Sequence, residues 1–456
     1  MSSTLSSTSS SPSSTQPASV LDSADTASLA DHVRTLLARA KAAAAPMACA
    51  PTATKDHFLR QLAQLLAERA DEVLAANARD VAAAVAGGRP AAMVDRLRLS
   101  KLALEQLARA VLEIAEQADP VGATTAGNMR PSGIEVRKVR IPLGVIGMIY
   151  EARPGVTIDA AALCLKAGNA VILRGGSEAQ YSNAALVGLL QEALQSSGLP
   201  QFAVQTPHSL DRAVVDLLVA DPQGLDLVIP RGGIALIQAV TQASRVPVIQ
   251  HYQGVCHIYV AASADLPAAR DIVLNAKCQR PGVCNAMEAL LIDASCAADA
   301  VPTLVGALVA AGVEVRACPR TLAIWTAQQQ TPQALAGGTV TAAEPADYGQ
   351  EFLALRCLVA VVDDFAGALG HIRAHGSRHT EAILTRDLAE ATRFTREVDA
   401  SCVVVNASTR FNDGGCLGLG AEIGISTSKL HAYGPMGLAA LTAEKFVLLG
   451  QGQVRT

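Results

Sequence analysis

The stretch "VIGMIYEARPGVTIDAAALCLKAGNAVILRGGSEA", residues 145–179, decides the fold. Two apolar runs, "VIGMIYE" and "AVILRG", flank a segment with helical character, and a glycine turn follows the second run. Runs this apolar and this short read as strands covered on both faces, which is the habit of parallel sheets. The same rhythm continues through "FAVQTP", "LDLVIP", "PVIQHY" and "HIYVAA", with about 10–20 residues between runs. It resumes at "EALLIDA", "VEVRAC", "LVAVVDD" and "SCVVVNAS". The expected class is α/β, with two doubly wound parallel-sheet domains in series and a ligand cleft between them.

Upstream, residues 26–117 read as helices. In "DHFLRQLAQLLAERADEVLAANARDVAAAV" the apolar positions Phe58, Leu62, Leu65, Leu66 and Leu74 recur at steps of three and four, an amphipathic pattern. Between helices and strands, "SGIEVRKVRIPLG" interleaves Ile134, Val136, Val139 and Ile141 with charges, as in an exposed β-arm. Such an arm has an open edge that finds a partner, here a second subunit. The expected boundaries are a disordered tail at 1–25, a cofactor domain from 26–130 and 142–256, an arm at 131–141, a catalytic domain at 257–398, and a C-terminal segment at 399–456. That last segment is expected to wall the active site and to pack on the cofactor domain.

Composition narrows the function classes. The chain has 456 residues, half of them apolar, a net charge of −4 and only 3% aromatics. That is no nucleic-acid footprint. Ten cysteines occur without a CxxC pair, so neither a zinc site nor a disulfide framework is expected, and a reducing cytoplasm suits the chain. The opening "MSSTLSSTSSSPSSTQPAS" lacks the basic and apolar regions of a secretory signal. No apolar run reaches the ~18 residues of a membrane span.

Two turns invite a dinucleotide. "VILRGGSEA" places Arg174, Gly175, Gly176 and Ser177 between a strand and a helix, and "LVIPRGGIALIQAV" does the same with Arg231, Gly232 and Gly233. Glycines let backbone approach a phosphate, and a helix N-terminus offers free N–H groups. Each turn alone is as well explained by a tight strand-to-helix connection. Together, with an arginine beside each glycine pair, they favour a nucleotide. Arg174 and Ser177 suit an adenosine 2′-phosphate, hence NADP(H) over NAD(H).

In "NAKCQRPGVCNAMEALLI", residues 275–292, Cys278 and Cys284 stand six positions apart. Free cysteine is mostly buried and inert, as expected for Cys164 and Cys402. Cys284 differs because it leaves a Pro-Gly turn, with Arg280 and Lys277 nearby in sequence to favour the thiolate. Cys278 lies on the helical side of that turn.

Beyond these local signals, "IPLGVIGMIYEARPGVTIDAAALCLKAGNAVILRGGSEA", "IPRGG", "NAKCQRPGVCNAME", "HGSRHTEAILT" and "VNASTRFNDGGCLGLGAEIGISTSKLHAYGPMGL" resemble the gamma-glutamyl phosphate reductases, a branch of the aldehyde dehydrogenase superfamily. The resemblance runs from about residue 26 to the C-terminus. It implies NADPH-dependent reduction of L-glutamyl 5-phosphate to glutamate 5-semialdehyde in proline biosynthesis, with Cys284 as nucleophile. It implies that Glu351 binds the nicotinamide ribose. Hydrolytic relatives carry a water-activating glutamate before the cysteine domain. The comparable "VIQHYQGVCHIYV" has His251, Tyr252 and Gln253 but no carboxylate, as a reductase that must spare its thioester requires. His251 is more often structural than catalytic at such a strand end. A substrate with a carboxylate and a phosphate needs cations, and Arg153, Arg280 and Arg410 are candidates. Asn406, Ser408 and Glu422, in or beside the glycine-rich loop 407–422, are candidate contacts to the amino acid end. The chain departs from the family at Gly155, where "RPNVT" is usual, and at Tyr433, where "HARGP" is usual, so no anion-binding role is carried to 433. The implied partners are a second copy of the chain and, transiently, glutamate 5-kinase, with no nucleic acid and no membrane. The rivals are an acylating dehydrogenase using coenzyme A and an inactive nucleotide-binding scaffold.

Overall fold

In the computed structural model, residues 23–250, 253–328 and 338–455 are described. The Ser-rich tail through residue 22, and His251 with Tyr252, lie outside the described residues.

The chain begins with helices Ser23–Ala48, Thr52–Glu68, Ala70–Ala86, Ala91–Leu97 and Lys101–Glu116. The apolar stripe of Thr52–Glu68 is buried through Phe58, Leu59, Leu62, Leu65 and Leu66. It packs on Leu104, Leu107, Val111 and Ile114 of Lys101–Glu116, whose N-terminus is capped by Ser100 Oγ accepting from the Ala103 N–H at 3.1 Å.

These helices cover a four-stranded parallel sheet ordered Val204–Gln205, Ala170–Gly175, Val145–Tyr150 and Leu227–Arg231. All six residues of Val145–Tyr150 are buried, because the Val156–Lys166 side and the Ser23–Ala48 side both cover the sheet. A second, seven-stranded parallel sheet runs Val340–Ala342, Glu314–Ala317, Arg356–Val362, Met287–Asp293, Cys256–Val260, Thr380–Leu384 and Cys402–Val405. It has its own apolar core, from Ile258 through Val398. The architecture is the aldehyde dehydrogenase-like α/β arrangement that the sequence implied.

Several local expectations change. Within "PVIQHY", the described residues 247–250 form no strand. Val248 makes only a bridge to Val228, and Pro247, which lacks an N–H, serves through its carbonyl. "FAVQTP" shortens to Val204–Gln205, between a 3₁₀ turn at Gln201–Ala203 and Pro207. The arm is larger than 131–141. Strands Thr124–Met129, Glu135–Pro142 and Thr442–Leu449 form a three-stranded antiparallel sheet. The C-terminal segment is therefore divided three ways. Cys402–Val405 edges the large sheet, Ala421 to Leu441 contribute to the cofactor-side core, and Thr442–Leu449 joins the arm. Cys402 sits half-buried on that edge strand and not in the deep core, whereas Cys164 is fully buried. Among the described residues no helix is long and apolar enough to cross a membrane, and no cluster of His, Cys, Asp and Glu is suited to a metal.

Candidate active site

Groups beyond the carboxyl ends of the small sheet act electrostatically on groups at the amino ends of the large one, Arg153 with Cys284 and Arg231 with His379. The small sheet presents the carboxyl ends of its strands at Tyr150, Gly175 and Arg231. The large sheet presents amino ends at Cys256, Met287 and Thr380. Cys284 lies three residues before Met287–Asp293, in the turn that leaves the helix Leu266–Cys278. That helix is capped by Asp265, whose carboxylate accepts from the Ala268 N–H, and it stops before Pro281. Cys284 is half-buried and carries no disulfide.

Two arginines feel its charge. Arg153 keeps an open side toward the cleft, but the surrounding protein strips its hydration. That burial first, then repulsion from Arg231, Arg96 and Arg280, draws its pKa down to about 10, while the charge of Cys284 acts the other way. Arg410 is also lowered, by burial first. It is repelled by Arg280 and attracted by Asp413 and Cys284, and its Nε donates to Gln279 Oε1 at 2.9 Å. Arg153 and Arg410 are thus both attracted by the charge of Cys284, and Arg280 repels both. Arg231 stands behind, 3.8 Å from Glu422. Burial raises the Glu422 carboxyl, Arg231 opposes this, and Glu422 Oε2 accepts from the Gly414 N–H at 3.1 Å.

Some expected roles are corrected here. Lys277 does not serve the cysteine. Its ammonium is fully buried against Glu288 at 2.6 Å, and the pair ties the end of the helix to the Met287–Asp293 strand. Arg231 is mostly buried and pairs with Glu422 at 3.8 Å. The Gly233 N–H, expected to face a phosphate, donates to Glu151 Oε2 at 3.0 Å. Gly175 is needed for packing: a side chain there would meet Asn183 at 2.1 Å and Tyr150 at 3.2 Å. Arg174 spends its guanidinium on the carbonyls of Gly175, Leu210 and Asp211. Ser177 is exposed at the start of its 3₁₀ turn, and Gly232 and Gly233 are exposed beside the strand end. At Gly233 a Cβ would have no neighbour closer than 3.9 Å, so backbone there is open to a ligand.

Asn406 is at the wrong end of the sheet for the substrate. It holds φ +52°, and its amide exchanges two hydrogen bonds with the Thr385 backbone, at 2.9 and 2.8 Å. This clamps the carboxyl ends of Thr380–Leu384 and Cys402–Val405, whereas Cys284 lies at the amino ends. Ser408 is buried, and its Oγ accepts from the Arg410 N–H at 3.3 Å, so it shapes the loop that presents Arg410. Glu351 rests against the cysteine loop. Its Oε1 accepts from the Gly254 N–H at 2.9 Å, and burial raises its pKa.

Sequence reasoning missed other residues. Gly254 packs so tightly that a Cβ would lie 2.0 Å from the Cys284 carbonyl oxygen. Arg96, on the helix Ala91–Leu97, acts electrostatically on both Arg153 and Glu351. His379 is fully buried and pushed down to about 4, by burial above all, so it is neutral. It lies within the quoted "HGSRHTEAILT", but nothing local distinguishes it from a core histidine. Tyr433 donates to Asp399 Oδ1 at 3.4 Å with the Lys429 ammonium 5.4 Å from its ring, which gives this departure a structural partner.

Asp159 joins Arg231 and Glu422 behind the cleft. Burial raises its pKa from 3.8 to about 7, Arg231 opposes the rise, and Glu422 adds to it. The fold thus favours the neutral carboxyl. That contribution is complete below the unfolded pKa of 3.8 and is lost as pH rises through about 7. Thermal scans across pH 4 to 8 should therefore find wild-type Tm falling relative to Asp159→Asn. A difference that stays flat across this window would remove Asp159 from the interdomain charge balance.

The chain was compared with known proteins. The model of the aldehyde dehydrogenase family matches residues 6–319. A gamma-glutamyl phosphate reductase of Anaeromyxobacter sp. (strain Fw109-5) is 54% identical over 429 residues, which cover 94% of this chain and 98% of the relative. One from Nitratidesulfovibrio vulgaris (strain Hildenborough) is 53% identical over 427 residues, covering 94% and 99%. The crystal structure of gamma-glutamyl phosphate reductase from Thermotoga maritima superposes with a TM-score of 0.87 at 40% identity, covering 93% of this chain and all of that one. An acetylating aldehyde dehydrogenase from Geobacillus thermoglucosidasius, at 19% identity and a TM-score of 0.67, shares the fold alone.

Proposed function

This chain belongs to the gamma-glutamyl phosphate reductases of the aldehyde dehydrogenase family, the enzymes that reduce L-glutamyl 5-phosphate to L-glutamate 5-semialdehyde with release of phosphate in proline biosynthesis, and on that premise we propose how its residues divide the work. The observation that carries the assignment is the free, half-buried Cys284 at the amino end of the large sheet, its carbonyl held by Cys256 Sγ at 3.1 Å and Gly254 packed against its backbone.

The Cys284 sulfur attacks the C5 carbonyl of the acyl phosphate as the thiolate nucleophile. Phosphate leaves as a stabilised anion toward Arg280 and Arg410, and a thioester remains on Cys284. The tetrahedral oxyanion is met by the Cys284 backbone N–H. A nicotinamide cofactor, when bound, would supply the hydride that reduces the thioester on Cys284 to the aldehyde. Open backbone at Gly233, exposed Ser177 and the strand ends beside them fit such a cofactor. Arg174, partly spent on carbonyls, still brings positive charge near Ser177, which favours NADPH. Glu351, held at Gly254, is assigned to the nicotinamide side of the cleft. Arg153 and Arg231, the latter balanced by Glu422, are assigned to the substrate's carboxylate. No carboxylate follows the Ile249–Gln253 stretch closely enough in sequence to replace the water-activating glutamate of hydrolytic relatives, and this protects the thioester.

The chain is further proposed to work in the cytoplasm and as a homo-oligomer. The arm strand Thr442–Leu449 leaves Phe446 and Leu448 exposed at 63% and 60%, and a second copy would cover them. A transient contact with glutamate 5-kinase follows from the lability of an acyl phosphate.

The deciding assay oxidises glutamate semialdehyde with NADP+ and varies the acceptor. Turnover should depend on phosphate and ignore coenzyme A. The reverse dependence overturns the assignment in favour of an acylating enzyme. In the same assay Arg280→Ala should raise KM for phosphate by about 10- to 100-fold, the loss of one desolvated charge-assisted contact. An unchanged KM would move the phosphate site elsewhere.

A further inference from the structure

Beneath the nucleophile runs a buried chain of polar groups that returns to its own starting point. Cys256 Sγ donates to the carbonyl oxygen of Cys284 at 3.1 Å and meets His379 Nδ1 at 3.7 Å. His379 Nδ1 lies 2.7 Å from Thr380 Oγ1, which accepts from Asn412 Nδ2 at 2.8 Å. The backbone carbonyl of Asn412 accepts from Asn285 Nδ2 at 2.9 Å. Asn285 follows Cys284, so the Cys284 carbonyl and the side chain of the next residue are gripped from opposite ends of one chain of contacts. Cys256, His379, Thr380 and Asn412 are completely buried, and Asn285 is 4% exposed.

We propose that Cys256 is a positioning residue, whose thiol fixes the Cys284 carbonyl and thereby sets the direction of the Cys284 side chain and of its backbone N–H. This rests on Cys284 being the nucleophile. The contributing elements are otherwise unrelated in sequence: Cys256 opens one strand, His379 and Thr380 open its neighbour, and Asn412 ends a 3₁₀ turn from the glycine-rich loop. Burial keeps Cys256 a thiol, with its pKa raised well above the ordinary value, so it remains a donor. A thiol is a weak donor and contributes little to stability. Its leverage is geometric, because a displacement of about 1 Å at a reacting group costs roughly 100-fold in rate.

A core-filling role and a positioning role predict opposite rankings of two substitutions. Valine fills the space without donating, whereas serine donates and leaves a small gap. We expect Cys256→Val to lower kcat by about 10- to 100-fold with KM within about threefold, and Cys256→Ser to recover to within about fivefold of wild type. Serine no better than valine, or a Cys256→Val enzyme within threefold of wild-type kcat, overturns the proposal. If Cys256→Val does not fold, Thr380→Val against Thr380→Ser asks the same question at the next link, with the same ranking expected and the same overturning result. Alkylation of wild-type Cys284, mapped by mass spectrometry, separates the premise from the proposal. Turnover that survives complete alkylation refutes the nucleophile itself, whatever the Cys256 variants do.

Discussion

Replacing Cys284 by serine is expected to lower phosphate-dependent NADP+ reduction by at least about 1000-fold, leaving substrate and cofactor affinity near wild type. The sulfur is the group that becomes acylated, and a serine hydroxyl ionises far too weakly for arginines alone to make it a nucleophile at neutral pH. No described general base stands in hydrogen-bond contact with Cys284, and the neutral His379 belongs to the layer beneath. The control is Cys278→Ser. Cys278 ends the helix on the other side of the Pro-Gly turn, and burial raises its thiol pKa, so its loss should cost little. Mass spectrometry of enzyme trapped with glutamyl phosphate should find the acyl adduct on Cys284. An adduct on any other side chain would end this assignment.

Gly254→Ala carries the second large effect, and its cause is purely steric. A methyl group at 254 would stand 2.0 Å from the Cys284 carbonyl oxygen, 2.7 Å from its carbonyl carbon and 2.8 Å from its Cα. These are backbone atoms of the nucleophile, so no rotamer change relieves the clash and the cysteine turn must move. The shift is also opposed by the Gly254 N–H bond to Glu351 at 2.9 Å. Overpacking of this kind costs about 1–3 kcal/mol of stability. A nucleophile displaced by the needed distance should lose about 100-fold or more in kcat. The variant should also alkylate more slowly at Cys284 than wild type. Normal turnover in a folded Gly254→Ala enzyme would show that the turn tolerates movement and that its geometry is not what sets the rate.

The two substitutions also separate what is visible in sequence from what is not. Cys284 is legible because its signals are local: a turn-forming Pro-Gly pair, an adjacent arginine and the start of an apolar strand. The strands around 145–150 and 287–293 are legible for the same reason, since burial on both faces leaves an unbroken apolar run. Arg153 and Arg280 were reached by asking what an anionic substrate needs, and Arg280 acts electrostatically on Arg153. Asn406 and Lys277 were not legible. Each looked available in sequence, and each is committed in three dimensions, Asn406 to Thr385 and Lys277 to Glu288. Arg231 was read from the glycines beside it, but its direction is set by Glu422, far along the chain.

Sequence by itself determined the α/β class, the helical start, the arm and the cysteine, because periodicity and turn chemistry act between near neighbours. Only the tertiary structure decided which charges are free. It also revealed that Gly254 and Cys256 press on a residue 28 positions beyond Cys256, and that Asn285 leans on a loop 127 positions away. Those contacts exist because parallel strands distant in sequence open side by side at one end of a sheet, and no local pattern records which strands will be neighbours.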